Sequence, residues 1–423
     1  MRVYLRTFGC RANHYDSETA RAMIESSGHV CVGRAEDADV AVFNSCAVTA
    51  EAEADLRKAV RRAAREQPAL RSVIMGCASG LPDGEGPRSL RALPTVEQLI
   101  AGADMPALAE ALSLPASSSV ARATLQSTTR ALLRIQDGCD EHCTFCATTL
   151  ARGENRSRAA DELVAEATRL AEIHPEIVLT GVHIGSYGRD TGSSLGELLA
   201  RLVREVPLVR FRLSSLEATE IDDRLVDLLT GDATRVAPYL HAPLQSGSDG
   251  VLKRMGRYWY TAEGYARAVE RLAGAQSTFG LGADLIAGFP GELEADHQRT
   301  LALVERLPFT YLHVFPFSLR PGTAAERLPA RVSPETADHR ARELRALAAT
   351  KAADYCASRA GGSADVIVVG GAGTAREGIT EDYLSVALSD PTLGRGVRFS
   401  ARLSWNAGRL TAIRNSVAPA DVS

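Results

Sequence analysis

The first hundred residues alternate short apolar runs with stretches whose apolar positions recur at helical spacing. The runs MRVYLRTFGC, HVCV, DVAVFNSC and RSVIMGC predict four strands. The segments SETARAMIESS and TAEAEADLRKAVRRAAREQ predict the helices between them. Alternation of strand and helix predicts an α/β unit with a parallel, doubly wound sheet.

The same alternation resumes after a stretch rich in Ser and Thr, PASSSVARATLQSTTR, which has the composition of a linker. Six more apolar runs predict strands: ALLRIQDGC, EIVLTGV, VRFRLSS, YLHAPLQ, GLGADLIAGFP and YLHVFPFS. The helical patterns between them begin at Arg158, Ser194, Ile221, Thr261 and Leu293. Six β/α units predict a partial (β/α)6 barrel of TIM type, with its functional residues on the loops that follow the strands.

A charged helical pattern runs from Ser333 to Arg359 and ends at two glycines. Beyond it, ADVIVVG, YLSVAL, GVRFSARL and RLTAIR predict short strands separated by turn residues, which is typical of a small all-β barrel. We therefore predict an N-terminal domain over 1–112, a linker over 113–130, a barrel with a closing helix over 131–360, and an all-β domain over 361–423.

Three cysteines lie within eight residues, in DGCDEHCTFC, directly after the first strand of the predicted barrel. We call Cys139, Cys143 and Cys146 the loop cysteines. Three thiolates can hold three irons of a [4Fe–4S] cluster and leave the fourth iron open for a ligand. The C-x3-C-x2-C spacing is typical of enzymes in which S-adenosylmethionine (SAM) fills that position. The alternative is a structural zinc knuckle, but the spacing of His142 is awkward for a fourth ligand.

Three other cysteines each end a predicted strand of the N-terminal sheet. We call Cys10, Cys46 and Cys77 the sheet-edge cysteines. Because the carboxyl ends of parallel strands meet at one edge, the three thiols should gather there and could hold a second cluster. The alternative is three unrelated buried thiols, since Cys packs well as a small hydrophobe. Cys31 and Cys356 are better explained as core residues.

Composition places few further limits on function. The chain has 423 residues, a net charge of −4 and eight cysteines. We find neither a signal peptide nor an apolar run near the ~20 residues that span a bilayer, so we expect a cytoplasmic protein with no membrane partner. Cysteines in such a protein favour metal or redox chemistry over disulfides.

A global field that attracts nucleic acid is not expected from this charge, so RNA binding would need a local basic patch. Arginines 398, 402, 409 and 414 surround Trp405 near the C-terminus. Arginine beside an aromatic residue is suited to gripping phosphate and stacking on bases. A solvated face of the small barrel is the alternative.

As a group, the motifs resemble the radical-SAM methylthiotransferase family over nearly the whole chain. The resemblance runs through TFGCRANHYDSE, NSCAVT, MGC, the cysteine loop, TGVHIGSYG, RLSSLEATEID, HAPLQSGSDGVLKRMGRYWYT, GADLIAGFPGE and HVFPFSLRPGT. It implies an N-terminal methylthiotransferase domain, a radical-SAM barrel and a C-terminal TRAM barrel that binds RNA.

Members of this family attach a methylthio group to an unactivated C–H bond. GVHIGSYG and HVFPFSLRPGT are most similar to the branch that acts at C2 of N6-threonylcarbamoyladenosine, next to the tRNA anticodon. The alternatives are the branches that act on N6-isopentenyladenosine in tRNA or on an Asp of a small-subunit ribosomal protein, and a non-catalytic zinc protein that binds RNA. CASG after the third sheet-edge cysteine departs from the CYAQ-like or CMAQ-like sequences expected there.

The resemblance also implies cofactors and partners. The loop cysteines would hold a [4Fe–4S] cluster that cleaves SAM, and the sheet-edge cysteines an auxiliary [4Fe–4S] cluster that holds or delivers sulfur. The partners would be tRNA bearing threonylcarbamoyladenosine, an electron donor such as flavodoxin or ferredoxin, and a source of sulfur.

Further residues correspond to the family's binding sites. Phe145 would lie near the SAM adenine, and five residues at strand ends would contact SAM, although each could be an ordinary polar residue of a barrel mouth: Gly181, Ser215, Glu217, His241 and Gln245. Arg402, Trp405 and Arg409 are the candidate RNA contacts.

Overall fold

The N-terminal domain is built on a five-stranded parallel sheet. In a computed structural model of the chain, residues 1–47, 50–81, 85–115, 126–370, 376–406 and 408–414 are described. The strands are β1 (Arg2–Thr7), β2 (Val30–Val32), β3 (Val40–Ser45), β4 (Arg71–Gly76) and β5 (Val96–Ala101), in the order β2-β1-β3-β4-β5. The helices are α1 (Arg11–Ser26), α2 (Ala50–Glu66), α3 (Glu85–Arg91) and α4 (Met105–Ala111).

The sequence pattern predicted four of these strands and missed β5. That strand reads VEQLIA and lies at the edge of the sheet with several exposed side chains, so it has no continuous apolar run. Central β3 is buried throughout, as expected for a parallel strand covered by helices on both faces.

The central domain contains the six predicted barrel strands. They are β6 (Ala131–Arg134), β9 (Glu176–Thr180), β10 (Arg210–Leu213), β11 (Tyr239–His241), β12 (Gly280–Ala287) and β13 (Tyr311–Pro316). Parallel pairing joins β6, β9 and β10 into one group and β11, β12 and β13 into another. Single bridges from Phe211 to Val236 and from Ser215 to His241 connect the groups. The result is the expected partial barrel.

Helices cover the outside of this barrel. They are α6 (Ala160–Ala171), α7 (Leu195–Glu205), α8 (Asp223–Leu229), α10 (Ala262–Gly274) and α11 (Glu294–Arg306). The side chains of Ser194 and Thr261 accept hydrogen bonds from the first turns of α7 and α10, which explains why these helices begin where predicted. Two short strands, β7 (Gln136–Asp137) and β8 (Arg156–Ser157), and two short helices, α5 (Thr148–Arg152) and α9 (Asp249–Arg254), lie in the loops.

A long helix, α12 (Pro334–Ser358), leads into a closed five-stranded barrel that fits a TRAM-like domain. Its strands are β14 (Ser363–Gly370), β15 (Glu377–Ile379), β16 (Ser385–Leu388), β17 (Arg398–Asn406) and β18 (Arg409–Arg414), in the order β14-β15-β16-β18-β17. The sequence pattern missed β15, which has only three residues, EGI. Parts of the predicted linker (116–125) and of the C-terminal domain (371–375, 407 and 415–423) lie outside the described residues.

The TRAM-like barrel packs against the amino ends of the large barrel's strands. Arg210, fully buried, donates to the backbone and side-chain oxygens of Asp365 at 3.0 Å, and Arg212 donates to the Thr380 carbonyl at 3.1 Å. Both arginines also bind Glu176. Although burial opposes ionisation, these two guanidinium groups hold the pKa of Glu176 well below its usual range.

The loop between β15 and β16 fills the floor of the large barrel. The ring of Tyr383 lies 4.7 Å from that of Tyr239. A Cβ on Gly280 would lie 2.2 Å from the Asp382 carbonyl oxygen, so only glycine fits there. The domain boundaries themselves remain a prediction. No helix among the described residues is long and apolar enough to cross a membrane.

Candidate cluster sites and active site

The loop cysteines occupy a tight turn after β7. Gly138 precedes them with φ +72°, and a Cβ there would lie 1.8 Å from the Glu154 carbonyl oxygen, so the backbone path requires glycine. The Glu141 amide lies 3.4 Å from Cys139 Sγ and the Thr148 amide lies 3.4 Å from Cys146 Sγ. Amide donors directed at sulfur stabilise thiolate ligands, so this donor set fits an iron–sulfur cluster.

The remaining loop cysteine, Cys143, has a positively charged neighbour. Arg257 Nη1 donates to Cys143 Sγ at 3.4 Å, and the same guanidinium binds Glu217 and the Tyr260 hydroxyl. Burial raises the pKa of the Cys143 thiol to about 12, and Arg257 acts in the opposite direction. Glu217, predicted as a SAM contact, is thereby linked to the loop cysteines through Arg257.

His183 is a further neighbour of the loop that the sequence reasoning did not single out. Its Nδ1 lies 3.7 Å from Cys139 Sγ and its Nε2 lies 2.9 Å from Glu220 Oε2. Burial lowers the pKa of His183, but hydrogen bonds with Cys139 and Glu220 raise it to about 10 overall. His183 lies inside the motif TGVHIGSYG, and this motif is the feature of the sequence that could have identified it.

The structure brings the sheet-edge cysteines to one edge of the N-terminal sheet. Asn13 Oδ1 lies 3.8 Å from both Cys10 Sγ and Cys77 Sγ. A Cβ on Gly9 would lie 2.7 Å from Cys46 Sγ, which brings the third thiol to the same loop. Cys10 is exposed, whereas the other two are buried. Three thiols around one point fit a cluster with one open iron.

Arg152 connects the two cysteine sets. It is the last residue of α5, which begins two positions after Cys146, and it is 6% exposed. Its Nε donates to Cys77 Sγ at 3.2 Å, and its Nη2 donates to Asn13 Oδ1 and Asp16 Oδ2, both at 2.7 Å. The helix that follows one cysteine set is therefore hydrogen-bonded to a thiol of the other. Burial raises the pKa of Cys77 to about 12, and Arg152 opposes that shift.

The predicted SAM contacts fall into different surroundings. Phe145 packs edge-on against Phe289 with ring centroids 6.3 Å apart, and it lines a cavity of about 140 Å³ together with Gln245. Gln245 has φ +65°, a strained value for a residue with a side chain. Ser215 is exposed after β10, consistent with a place at the barrel mouth.

Gly181 and His241 are not among the residues that line this cavity. A Cβ on Gly181 would lie 2.7 Å from Gln136 Oε1, which accepts from the His183 amide at 2.9 Å, so Gly181 serves the packing of the loop. His241 is buried, with Nδ1 2.7 Å from the Tyr311 hydroxyl.

The structure divides the predicted RNA contacts between two faces. Arg402 and Arg409 are exposed, on the outside of adjacent strands β17 and β18. Trp405 is half-buried against the core of the small barrel, because strand alternation places it on the inner side with Leu403. Arg398 binds Asp365 and the Thr234 carbonyl, so it belongs to the contact between domains. The expected cluster of arginines around Trp405 is therefore not formed.

Family models match two parts of the chain. Residues 2–98 match the family described as "Uncharacterized protein family UPF0004", and residues 133–304 match the Radical SAM superfamily. Among solved structures, the radical S-adenosylmethionine methyltransferase TsrM from Kitasatospora setae has a TM-score of 0.57 at 15% identity, covering 77% of this chain and 76% of that one. At that identity the likeness shows the fold.

Curated relatives extend the match over most of the chain. The threonylcarbamoyladenosine tRNA methylthiotransferase MtaB of Thermotoga maritima is 36% identical and covers 77% of both chains. The protein of that name from Bacillus subtilis is 34% identical over 84% of this chain and 81% of its own. The tRNA-2-methylthio-N(6)-dimethylallyladenosine synthase of Erythrobacter litoralis is 32% identical over 86% and 85%. The chain therefore belongs to the radical-SAM methylthiotransferase family and is an enzyme that uses SAM and a [4Fe–4S] cluster.

Proposed function

We propose that this enzyme adds a methylthio group to C2 of N6-threonylcarbamoyladenosine in tRNA, next to the anticodon. The observation that carries the proposal is the presence of two three-thiol sets joined by Arg152. Two of the relatives described above, at 36% and 34% identity, are named for threonylcarbamoyladenosine, which supports the choice of this nucleoside.

The two cysteine sets would hold two [4Fe–4S] clusters, each with one open iron. We assign the cluster that cleaves SAM to the loop cysteines and the auxiliary cluster to the sheet-edge cysteines. When bound, the first cluster would supply the electron that cleaves SAM, the cleaved SAM would supply the radical that activates C2–H, and the auxiliary cluster would supply the sulfur that is transferred.

The protein side chains would orient and enclose these groups. Phe145 and Gln245 line the cavity beside the loop cysteines and would contact SAM there. Ser215, exposed after β10, would contact SAM from the barrel mouth. Glu217 orients Arg257 toward Cys143, and Gly181 leaves room for Gln136, which holds the loop after β9.

The remaining partners follow from this chemistry. An external electron donor such as flavodoxin or ferredoxin would reduce the SAM-cleaving cluster, and a sulfur source would restore the auxiliary site. Exposed Arg402 and Arg409 would contact tRNA phosphates, whereas Trp405 would support their strands and reach a base only with its exposed portion.

The test is turnover by anaerobically reconstituted enzyme with SAM, a reductant and tRNA from cells that lack methylthiolation. Mass spectrometry of the digested nucleosides should show a gain of one methylthio group on threonylcarbamoyladenosine. Modification of isopentenyladenosine instead would refute the substrate assignment, and modification of neither nucleoside would refute the tRNA proposal.

A further inference from the structure

Three polar side chains meet on the inner face of the large barrel, on the adjacent strands β11, β12 and β13. Asp284 Oδ2 lies 3.1 Å from His241 Nε2, and Asp284 Oδ1 lies 3.2 Å from His313 Nδ1. Each carboxylate oxygen therefore holds one imidazole. Although burial opposes ionisation, the two histidines lower the pKa of Asp284. Neither Asp284 nor His313 has a task in cluster or SAM binding as proposed above.

His241 anchors this group. Its two ring nitrogens are already engaged, Nδ1 with the Tyr311 hydroxyl at 2.7 Å and Nε2 with Asp284. The Tyr311 hydroxyl in turn contacts that of Tyr239 beneath it. A buried histidine with both nitrogens occupied is suited to fixing Asp284 and unsuited to contacting SAM.

His313 is the member of this group whose side chain faces solvent. Its side chain is 57% exposed, and its Nε2 has no hydrogen-bond partner in the described part of the chain. Because Asp284 fixes Nδ1, the direction in which Nε2 points is set before any ligand arrives. Preorganised polar groups of this kind provide specificity in otherwise apolar pockets.

An exposed aromatic ring lies next to it. Phe315 is two residues further along β13, on the same inner face, and its centroid lies 6.3 Å from that of His313. It is 40% exposed, and it lines the same cavity as Asp284 and Phe145. An exposed ring beside a fixed polar group is the arrangement with which proteins stack an unpaired RNA base and read its edge.

We propose that Phe315 stacks on the target adenosine and that His313, oriented by Asp284 and His241, binds the substituent on N6. The inference rests on the proposed function and names the part of the substrate that this site recognises. Because Nδ1–H donates to Asp284, Nε2 of the neutral imidazole accepts a hydrogen bond. The threonylcarbamoyl group offers it a hydroxyl O–H and a carbamoyl N–H, whereas an isopentenyl group offers no donor. A substituent without such donors leaves the polar end of the pocket unpaired, which disfavours its binding.

A metal ion is the competing explanation. The ligand atoms of the three residues lie within 4.8 Å of one another, and two imidazoles with a carboxylate are a common set for zinc or iron. The separations of 3.1 and 3.2 Å are also normal hydrogen-bond lengths, and Asp284 already has an N–H partner for each oxygen. Hydrogen bonding accounts for the group without an ion.

The experiment compares binding of two anticodon stem-loop RNAs, one with threonylcarbamoyladenosine and one with unmodified adenosine, by fluorescence anisotropy on reconstituted enzyme. The wild type should bind the modified RNA more tightly. His313→Phe keeps a ring but removes the nitrogens, and it should lose about tenfold to hundredfold in affinity for the modified RNA alone. His313→Gln, which keeps polar atoms, should recover part of the difference.

His339→Gln is the matched control, because this exposed histidine on α12 also faces a carboxylate, Glu343 at 3.6 Å, away from the barrel interior. It should bind both RNAs as the wild type does. Discrimination retained in His313→Phe would overturn the inference while leaving the proposed function intact. A further equivalent of zinc or iron, lost in His313→Phe, would also overturn it. Failure of the wild type to modify threonylcarbamoyladenosine would refute the proposed function by a separate measurement.

Discussion

Replacing Arg152 by Gln should destabilise the enzyme strongly, even without its clusters. The wild-type guanidinium is buried and forms ion pairs with Asp16 at 2.7 Å and Asp137 at 3.0 Å, besides its bonds to Cys77 and Asn13. Removing one partner of a buried pair costs about 3–5 kcal/mol, because the remaining charge stays buried. Both aspartates keep Arg134 as a partner, so we expect the lower end, about 3 kcal/mol.

The assay is thermal unfolding of metal-free protein, followed by circular dichroism. Arg152 belongs to the barrel domain predicted over 131–360. A loss of about 3 kcal/mol in the free energy of unfolding lowers Tm by roughly 6–12 °C for a domain of about 150–250 residues. Arg156→Gln is the matched control, since Arg156 lies near the same Asp137 at 3.9 Å but its side chain is 61% exposed. Surface changes of this kind shift stability by no more than about 0.5 kcal/mol. Equal Tm losses in the two variants would refute the reasoning.

The pH dependence gives a second check. In the wild type, burial raises the pKa of Asp137, but Arg152 and Arg134 hold it below its usual value. A lowered folded pKa contributes stability that is present above the unfolded pKa and is lost as pH falls through the folded pKa. Arg152→Gln removes the largest opposing charge, so the gap between variant and wild type should be widest near pH 7 and should narrow below about pH 4. Adding Asp137→Asn to Arg152→Gln should recover part of the loss at pH 7, because it removes a largely buried carboxylate that has lost one of its two hydrogen-bonded arginine partners.

Four further predictions concern the clusters and the RNA surface. Reconstituted enzyme should bind about eight irons and the triple Ala variant of the loop cysteines about four, by iron analysis; a fall to zero would contradict two independent sites. A Cys143→Ala variant should lose SAM cleavage, whereas Cys46→Ala should still release 5′-deoxyadenosine but transfer no methylthio group, as chromatography of both products would reveal. Gly138→Ala should lose the SAM-cleaving cluster and its absorbance, because a Cβ would lie 1.8 Å from a carbonyl oxygen; a normal visible spectrum would count against this. Arg402→Ala with Arg409→Ala should reduce the slope of log K against log salt for tRNA binding by about 2, and an unchanged slope would place the RNA surface elsewhere.

The order of strands and helices could be predicted because burial on two faces leaves continuous apolar runs, such as the VAVF of β3. Strands β5 and β15 were missed because one lies exposed at a sheet edge and the other has three residues. The meeting of the sheet-edge cysteines could also be predicted, since parallel strands end at a common edge.

The side chains that orient the cysteines could not be predicted in the same way. Asn13 and Arg152 are 139 positions apart, and nothing local in the sequence indicates that they form a hydrogen bond. The grouping around Trp405 failed for a related reason. Successive side chains of a strand point to opposite faces. Trp405 and Arg402 are an odd number of positions apart on β17, so they lie on opposite faces although they are close in sequence.

The loop that carries Tyr383 has a consequence for the autonomy of the C-terminal domain. Because Thr380 accepts from Arg212 and the backbone of Asp382 packs on Gly280, this loop is the floor of the catalytic barrel as well as part of the TRAM-like barrel. Deleting residues 361–423 would open that floor to water and leave the buried arginines without carbonyl partners. The TRAM-like barrel therefore cannot be removed without disturbing the large barrel. An enzyme truncated in this way would be inactive for reasons unrelated to RNA binding. Point substitutions on its outer face are the appropriate way to separate recognition from catalysis.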